Sequence, residues 1–409
     1  MTDPRVPARR RQARPPPIVE GYDYAPVSMT AADNPQEYID WSNEGQPATA
    51  PWRSANGAPA PKRVVPVDDT ITADAAYRLA SQGIAMLWHG DFQNARQILT
   101  ALEHRTRPKP DRTERTTAEL FYRYRQNRSH RARILGHLLI PLEGGNIIGL
   151  RRAPDVVSAT VDAYGSITEA SVVSLHEVLG TIGAHQWRTK GIPVAALNAS
   201  VYPHYGTFFP VRSEYVGLVA SAPLAAPKVA FDIGTGTGVL AAVLATRGVP
   251  RVVATDIEPR AVASARETVS RLKLTERVEV HLTSLFPDGR ADLIVCNPPW
   301  IPATAHSLLD AAVYDPGSRM LKGFLAGVLG HLEPRGEVWL VLSDFAELVG
   351  LRSRDDLLKE IDAAGLRVIG ALEAPAVHAR ATDTSDPLHA IRRNEVTSLW
   401  RLTAREPTT

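Results

Sequence analysis

The sequence predicts an α/β fold, with a seven-stranded sheet in the C-terminal half of the chain. From Lys228 onward, short apolar segments alternate with helical segments. Alternating strands and helices form a parallel sheet that is covered on both faces. Several of these apolar segments end in a glycine loop, an acid or an amide, as in "FDIGTGTG", "VVATD" and "LIVCN". Since ligands of such sheets bind at the carboxyl ends of the strands, these positions are candidates for a site.

The composition narrows the class of protein. The chain has 409 residues, of which 44% are hydrophobic, and its formal net charge is +2. It therefore has room for two domains, and its global charge indicates no polyanionic partner. Its one cysteine, Cys296, excludes an intramolecular disulfide and is typical of a reducing compartment. No apolar segment is long enough to span a membrane, so we expect a cytoplasmic protein.

The first half of the chain is harder to interpret. Residues 1–70 are rich in Pro, Ala and Arg and show no sustained periodicity, so we expect a disordered tail. Residues 71–200 are expected to form a mainly helical substrate-recognition domain. Thr72 can cap a helix that runs to about His89, Asp91 can cap a second helix, and a third covers about 113–136. Residues 201–409 form the predicted α/β domain.

A glycine-rich loop follows the first predicted strand of that domain, in "FDIGTGTGVL". Glycines allow the backbone to turn tightly and to approach a ligand closely. The candidate cofactor-binding residues of this loop are Asp232, Gly234, Thr235, Gly236 and Gly238. The spacing is G-x-G-x-G, whereas the dinucleotide fingerprint is G-x-G-x-x-G. An acid before the loop repels a pyrophosphate but suits a cation.

The second predicted strand ends at Asp256, 18 residues after Gly238. A carboxylate at this position can accept hydrogen bonds from both hydroxyls of a ribose. The run D-x-G-x-G-x-G with this following acid resembles class I S-adenosylmethionine-dependent methyltransferases, which implies a Rossmann-like fold and S-adenosyl-L-methionine as cofactor. The same resemblance implies that Ser284 contacts the adenine and that Leu285 and Phe286 pack on its ring. The alternatives are a Rossmann domain for another nucleotide and a degenerate loop.

The fourth strand of the domain ends in "CNPPW", residues 296–300. Two prolines cannot continue a ladder, so the strand stops there and Asn297 faces the cofactor. The side-chain oxygen of Asn297 and the carbonyl of Pro298 can accept the two N–H groups of an amide or an exocyclic amine. This would direct the nitrogen lone pair toward the methyl group. The ring of Trp300 can stack on a planar acceptor.

"NPPW" resembles the N-P-P-[YFW] signature of amino-nitrogen methyltransferases. A closer resemblance, over about 200–345, is to the release-factor glutamine methyltransferase family. The segment "FFPVRSEYVGLVA" is similar to the family's I-P-R-P-E-T-E-x-L-V, and "WRTKGIPVAALNASVYPHYGTFFP" matches its hairpin linker. This resemblance implies Arg212 as a substrate-binding residue. This sequence departs from the family's pattern at two places. The residues after Pro210 are one position out of step with the family's segment, and Trp300 stands where the family usually has a Tyr.

The acceptor stays open between several classes. The resemblance favours a protein glutamine and hence a partner from the translation machinery. Residues 101–135 contain ten Lys/Arg and four Asp/Glu, and "FYRYRQNRSHRAR" interleaves aromatics with arginines, which can grip an RNA strand. The alternative is a solvated helix face. A small-molecule acceptor and a cofactor-binding module without turnover are two further possibilities.

Tyr314 is a second candidate substrate-binding residue because it follows the "NPPW" segment closely. A helix-capping turn explains Tyr314 and its neighbour Asp315 equally well. The twelve histidines show no metal-ligand spacing, so we predict no metal site. The sequence does not determine the oligomeric state.

Overall fold

The computed structural model describes residues 36–108, 115–208, 213–304, 310 and 312–406. These residues form a six-stranded sheet, a short hairpin and a seven-stranded sheet, in that order along the chain. Within the described residues, no helix is long and apolar enough to cross a membrane.

The N-terminal sheet contains β1 (Tyr38–Asn43), β2 (Gln46–Arg53), β3 (Val64–Val67), β4 (Ala85–Trp88), β5 (Leu138–Leu142) and β6 (Ser171–Ser174). Its strand order is β1-β2-β6-β5-β4-β3, with parallel and antiparallel pairs. The helices of this part are α1 (Ala73–Ser81), α2 (Phe92–Arg105), α3 (Thr117–Gly136), α4 (Val157–Tyr164) and α5 (Leu175–Lys190).

The predicted disordered tail, residues 1–70, is wrong for its second part. Strands β1 and β2 form an antiparallel hairpin, and Ile39 and Trp52 are buried. The two residues of its loop, Glu44 and Gly45, have φ of 49° and 83°. A positive φ at both positions is typical of the type I′ turn, which matches the twist of a hairpin. The sequence signal was "NEGQ" between two segments that each contain a tryptophan, Trp41 and Trp52. Residues 1–35 lie outside the described residues.

The predicted mainly helical domain over residues 71–200 is incomplete: α1 to α5 lie in this segment, but it also supplies three strands of the N-terminal sheet, which the sequence did not indicate. All four residues of β4 and all four of β6 are buried. A short run that is buried on both faces shows no alternation, so periodicity alone cannot separate it from a helix. The caps at Thr72 and Asp91 are confirmed, but α1 ends at Ser81 rather than near His89.

The hairpin linker predicted from the resemblance is confirmed. Strands β7 (Ile192–Val194) and β8 (Ala199–Val201) pair antiparallel and connect α5 to the second sheet.

The C-terminal sheet contains β9 (Val229–Ile233), β10 (Arg251–Asp256), β11 (Val278–Leu282), β12 (Ala291–Cys296), β13 (Leu332–Ser343), β14 (Leu366–Pro375) and β15 (Val396–Ala404). Its helices are α6 (Glu214–Ser221), α7 (Val239–Thr246), α8 (Pro259–Arg271), α9 (Arg319–His331), α10 (Phe345–Leu348), α11 (Arg354–Ala363), α12 (Ala379–Thr382) and α13 (His389–Arg392).

The order of the C-terminal sheet is β11-β10-β9-β12-β13-β15-β14, and β15 pairs antiparallel with both of its neighbours. This arrangement confirms the predicted α/β fold. The chain leaves β9 toward β10 on one side and returns to β12 on the other side. The carboxyl ends of β9 and β12 therefore flank the switch point, where sheets of this kind bind ligands.

Helix α8 joins the C-terminal sheet to the N-terminal part of the chain. The guanidinium of Arg260 donates to the carbonyls of Ala55 and Ala163, at 3.1 and 2.9 Å. Glu267 lies about two turns further along α8. Its carboxylate accepts a hydrogen bond from Arg188 at 2.9 Å and contacts the His204 ring at 2.7 Å. These polar contacts link the N-terminal sheet and the hairpin to the helix that follows β10.

Candidate active site

The strand register brings three predicted site residues to one edge of the C-terminal sheet. Ile233, the last residue of β9, pairs with Thr255 on β10 and with Cys296 on β12. The next residues of the three strands are Gly234, Asp256 and Asn297. They therefore lie side by side, with the glycine loop in the centre.

The glycine loop has the backbone conformation that its sequence predicted. Gly234, Gly236 and Gly238 have φ of 72°, 57° and 78°. A side chain at position 234 would come within 2.7 Å of the methyl group of Met320, and one at position 238 would meet Ala265 at 3.1 Å. The loop therefore needs glycine for its conformation and for its close packing. Met320 is a contact of the loop that the sequence did not indicate.

Asp232 is almost fully buried below this loop and organises it. Its Oδ2 accepts from the hydroxyl of Thr235 at 2.6 Å and from the backbone N–H of Ala241 at 2.9 Å. Burial raises the pKa of Asp232 to about 6 against these two hydrogen bonds, and the carboxylate of Asp256 raises it further. Thr235 is buried, so its hydroxyl stabilises the loop through this hydrogen bond to Asp232.

Asp256 is half-buried at the end of β10 and is already oriented by the backbone. Its Oδ2 accepts from the N–H of Gly236 and its Oδ1 from the N–H of Glu258, both at 2.9 Å. Burial raises the pKa of this carboxyl. Each oxygen of a carboxylate can accept more than one hydrogen bond, so both retain capacity for a ribose hydroxyl.

The segment after β11, which was expected to contact adenine, leaves Ser284 accessible but not Phe286. Ser284 is exposed, and the neighbouring carbonyl of Leu285 accepts from the hydroxyl of Thr255 at 2.5 Å. The ring of Phe286 stacks on Phe324 and on His331, with centroids 5.6 and 4.6 Å apart. Phe286 is therefore committed to packing against α9 and is not free for a ligand ring as expected.

The "NPPW" segment contains a hydrogen bond that the sequence did not predict. The indole N–H of Trp300 donates to Oδ1 of Asn297 at 2.8 Å. An indole nitrogen can only donate, so this contact fixes which way the Asn297 amide points. Trp300 and Pro298 are buried, whereas Asn297 is half-exposed. The oxygen of Asn297 retains a second lone pair on the accessible side.

Tyr314 lies beside this segment. The N–H of Ile301 donates to Val313, and the N–H of Asp315 donates to Ile301, at 3.0 and 2.8 Å. The guanidinium of Arg125, from α3, lies over the Tyr314 ring at 4.8 Å from its centroid. Burial raises the pKa of Tyr314. The N-terminal part of the chain therefore reaches the residues that follow Trp300.

Asp315 stabilises the start of α9. It is buried, and its Oδ2 accepts from the N–H of Met320 at 2.8 Å, so it caps the start of α9. This agrees with the helix-capping alternative for Asp315. Cys296 is fully buried and burial raises the pKa of its thiol, as expected for an inert core residue. Arg212, the other predicted substrate-binding residue, lies outside the described residues.

The residues around the glycine loop fit a cationic nucleoside ligand. Two carboxylates, Asp232 and Asp256, lie close enough for one to raise the pKa of the other. Among the described residues, the main groups that perturb either carboxylate include no basic side chain. A ligand with a sulfonium and an ammonium group would neutralise this charge, and its ribose would meet Asp256.

Comparison with known proteins agrees with this geometry. Residues 218–351 match the methyltransferase small domain family. The release factor glutamine methyltransferase of Cereibacter sphaeroides is 33% identical over 186 residues, which are 40% of this chain and 66% of that protein. A tRNA1(Val) (adenine(37)-N6)-methyltransferase of Cytophaga hutchinsonii is 33% identical over 126 residues, 29% of this chain and 52% of that protein.

The chain thus covers less than two thirds of each of these relatives. Among solved structures, a methyltransferase from Pyrococcus furiosus is 18% identical, with a TM-score of 0.38, and the match covers 55% of this chain and 98% of that chain. The segment before residue 218 lies outside the family match.

The C-terminal fold and its glycine loop define an S-adenosylmethionine-dependent methyltransferase domain. Within that class, residues 218–351 match the methyltransferase small domain family. The predictions of a methyltransferase and of S-adenosylmethionine as its cofactor are therefore confirmed for this domain.

Proposed function

We propose that the protein transfers a methyl group from S-adenosylmethionine to a planar nitrogen, an amide or an exocyclic amine. The observation that carries this proposal is the position of Asn297. It follows β12 directly, next to the glycine loop, and its amide is oriented by Trp300. Two of the known relatives, a glutamine methyltransferase and an adenine-N6 methyltransferase, are named for acceptors of this kind.

A planar nitrogen is a poor nucleophile because its lone pair is delocalised. The free lone pair of Asn297 Oδ1 would accept one N–H of the acceptor, and the carbonyl of Pro298 would accept the other. Both interactions strengthen as the nitrogen becomes tetrahedral and positively charged, so they stabilise the transition state more than the bound substrate. The proton can leave to water after transfer, so no general base is required.

On the cofactor side, Asp256 would bind the ribose and Asp232 would hold the loop and offset the positive charge. S-adenosylmethionine supplies a methyl group on a positively charged sulfur. The three glycines of the loop, Gly234, Gly236 and Gly238, would let the cofactor approach the backbone closely. Ser284, which is exposed, would contact the adenine. Asn297, which is half-exposed, follows β12 at the same edge of the sheet.

Two acceptor classes meet this chemistry. The release-factor relative supports a protein glutamine, which is the acceptor predicted from the sequence. The basic helix α3, which contacts Tyr314 and the carbonyl of Thr304, supports an RNA base. Either partner is consistent with the relatives, whose names include enzymes acting on tRNA, rRNA and ribosomal protein.

Methyl transfer from tritiated S-adenosylmethionine tests the proposal. The purified chain would be incubated with a lysate of cells that lack it, and the labelled fraction digested with nuclease or protease. We expect label in one macromolecular fraction, with Asn297→Ala as the inactive control. Label that appears equally with the variant would contradict the proposal.

A further inference from the structure

A cleft separates the N-terminal part of the chain from the methyltransferase domain. Its volume is about 910 Å³. Its walls come from the loop after β2, the helices α3 and α5, the segment after the hairpin, and the residues that follow "NPPW". We call it the interdomain cleft.

The interdomain cleft is strongly basic. Its lining includes five cationic side chains: Lys62, Arg125, Arg128, Arg131 and Arg133. The carboxylates in the lining are Glu177 and Asp310. Asp310 offsets part of the charge of Arg128, at 3.4 Å, whereas Glu177 is buried and bonded to neutral groups, so the cations remain in excess. Glu177 accepts from Ser54 and from Tyr164, both at 2.8 Å.

The arginines of α3 form a row along the cleft. Arg125, Arg128 and Arg131 are spaced by three residues, so they share one face of the helix. Arg125 and Arg128 contact the residues around Tyr314, whereas Arg131 pairs with Glu103 at 3.6 Å. Lys62 and Arg133 are exposed at the cleft. A row of cations with this spacing follows the charge pattern of an extended phosphate backbone.

The size and aromatic content of the cleft indicate a single strand. Its volume lies within the range of small-ligand sites, so it holds a few units of a chain rather than a duplex. Trp187, which belongs to this lining, is 49% exposed. An exposed indole is a stacking platform for an unpaired base.

One wall of the cleft is linked by the backbone to the proposed methyl-transfer site. Tyr314, in that wall, forms an isolated bridge with Ile301, which directly follows Trp300. A strand bound along the arginines would therefore run toward the segment that carries Asn297. One nucleotide, turned out of the strand, would reach the oxygen of that amide.

We propose that the interdomain cleft binds single-stranded RNA through its phosphate backbone and delivers a base amine to Asn297. This inference rests on the proposed function and names its acceptor class. The phosphates meet the row of arginines together with Lys62 and Arg133. A protein acceptor would gain little from this surface, since a row of cations disfavours a segment without regular negative charge.

Fluorescence anisotropy tests the binding step without methyl transfer. The probe is a labelled single-stranded RNA of mixed sequence and about 12 nucleotides, titrated with the whole chain at salt concentrations of about 50 to 200 mM. We expect the double variant Lys62→Ala/Arg133→Ala to bind roughly 10- to 30-fold more weakly at about 100 mM salt. Its salt dependence should be shallower by about 1.4 in log–log slope, since two phosphate contacts are lost.

Arg123→Ala is the matched control. Arg123 is exposed on the same helix, and helical periodicity places it opposite Ala132, which lines the cleft. Its loss should leave RNA affinity within about twofold. Calorimetric binding of S-adenosylhomocysteine by every variant would show that the domain is folded.

An unchanged affinity in the double variant, or an equal loss in Arg123→Ala, would overturn the proposal. Competition by polyglutamate as strong as by RNA of equal charge would also overturn it, in favour of an acidic protein. Methyl transfer to protein with no RNA binding would remove this inference and leave the proposed reaction intact.

Discussion

The two sides of the proposed site are built in different ways. The cofactor side is formed by a contiguous segment, from Asp232 to Asp256, in which buried Asp232 and half-buried Asp256 each accept hydrogen bonds from the glycine loop. The acceptor side is assembled from segments far apart in the sequence, including Lys62, the arginines of α3 and Tyr314. The first side is a local motif, and the second exists only once the two sheets are packed together.

This difference determines what each side can do. The cofactor side is ordered by hydrogen bonds from the glycine loop to two carboxylates, as needed to hold one ligand in one orientation. The acceptor side is an open, charged groove with exposed side chains, which tolerates a long and variable partner. Asn297 lies at the boundary, since it follows a core strand and its amide is half-exposed. Substitutions on either side should therefore change different measured quantities.

The largest effect should come from the boundary itself. Asn297→Ala removes an acceptor oxygen that acts mainly in the transition state, so turnover should fall by about 10²–10³. Affinity for S-adenosylhomocysteine, measured by calorimetry, should stay within about twofold. Asn297→Asp keeps an oxygen and is the matched variant, for which we expect partial activity. Wild-type turnover in Asn297→Ala would show that the amide has no part in the reaction.

A smaller effect is expected on the cofactor side. Asp256→Ala should weaken cofactor binding by about 1–3 kcal/mol, because the ribose hydroxyls lose their partner in a partly buried position. The loop should also lose the acceptor of the Gly236 N–H. RNA affinity of the ligand-free chain should not change. Asp288→Ala, at an exposed position after β11, is the control. Cofactor affinity equal to wild type would disprove the assignment of Asp256.

The smallest effect distinguishes two roles of Trp300. Trp300→Phe keeps a ring for stacking but loses the hydrogen bond to Asn297. If that bond orients the amide, turnover should fall by roughly three- to tenfold, with little change in cofactor affinity. Trp88→Phe, which loses an indole hydrogen bond to Asp91 in the N-terminal sheet, is the matched control for stability. Full turnover in Trp300→Phe would leave stacking as the role of the ring.

The contrast also explains what could be predicted from the sequence. The glycine loop, Asp256 and "NPPW" each depend on neighbours within a few residues, so their positions at the strand ends were predictable. The N-terminal sheet was not predictable in this way, because β4 and β6 are short runs without alternation and β2 is rich in Pro and Ala. The Trp300–Asn297 bond depends on a side-chain orientation, for which no pattern in the sequence gives a signal.

The interdomain cleft could not be predicted from the sequence either. The arginines of α3 were visible as a basic segment, but a solvated helix face was an equal explanation. Only the contacts of Arg125 and Arg128 with residues near Tyr314 place that face next to the active site. Lys62 and Trp187 gave no signal at all, because their proximity depends on a sheet that the sequence did not predict.

The buried Asp232 has a consequence for folding as well as for binding. Its ordinary pKa is 3.8, and burial raises the pKa to about 6 in the folded chain. Between those pH values the folded chain holds a proton that the unfolded chain has released, so folding stability falls as pH rises through this window. At neutral pH the ligand-free fold carries about 3 kcal/mol of unfavourable free energy from this one group. A cationic ligand bound beside the loop would offset part of this cost, so binding of the methyl donor should stabilise the domain more at neutral pH than at about pH 5.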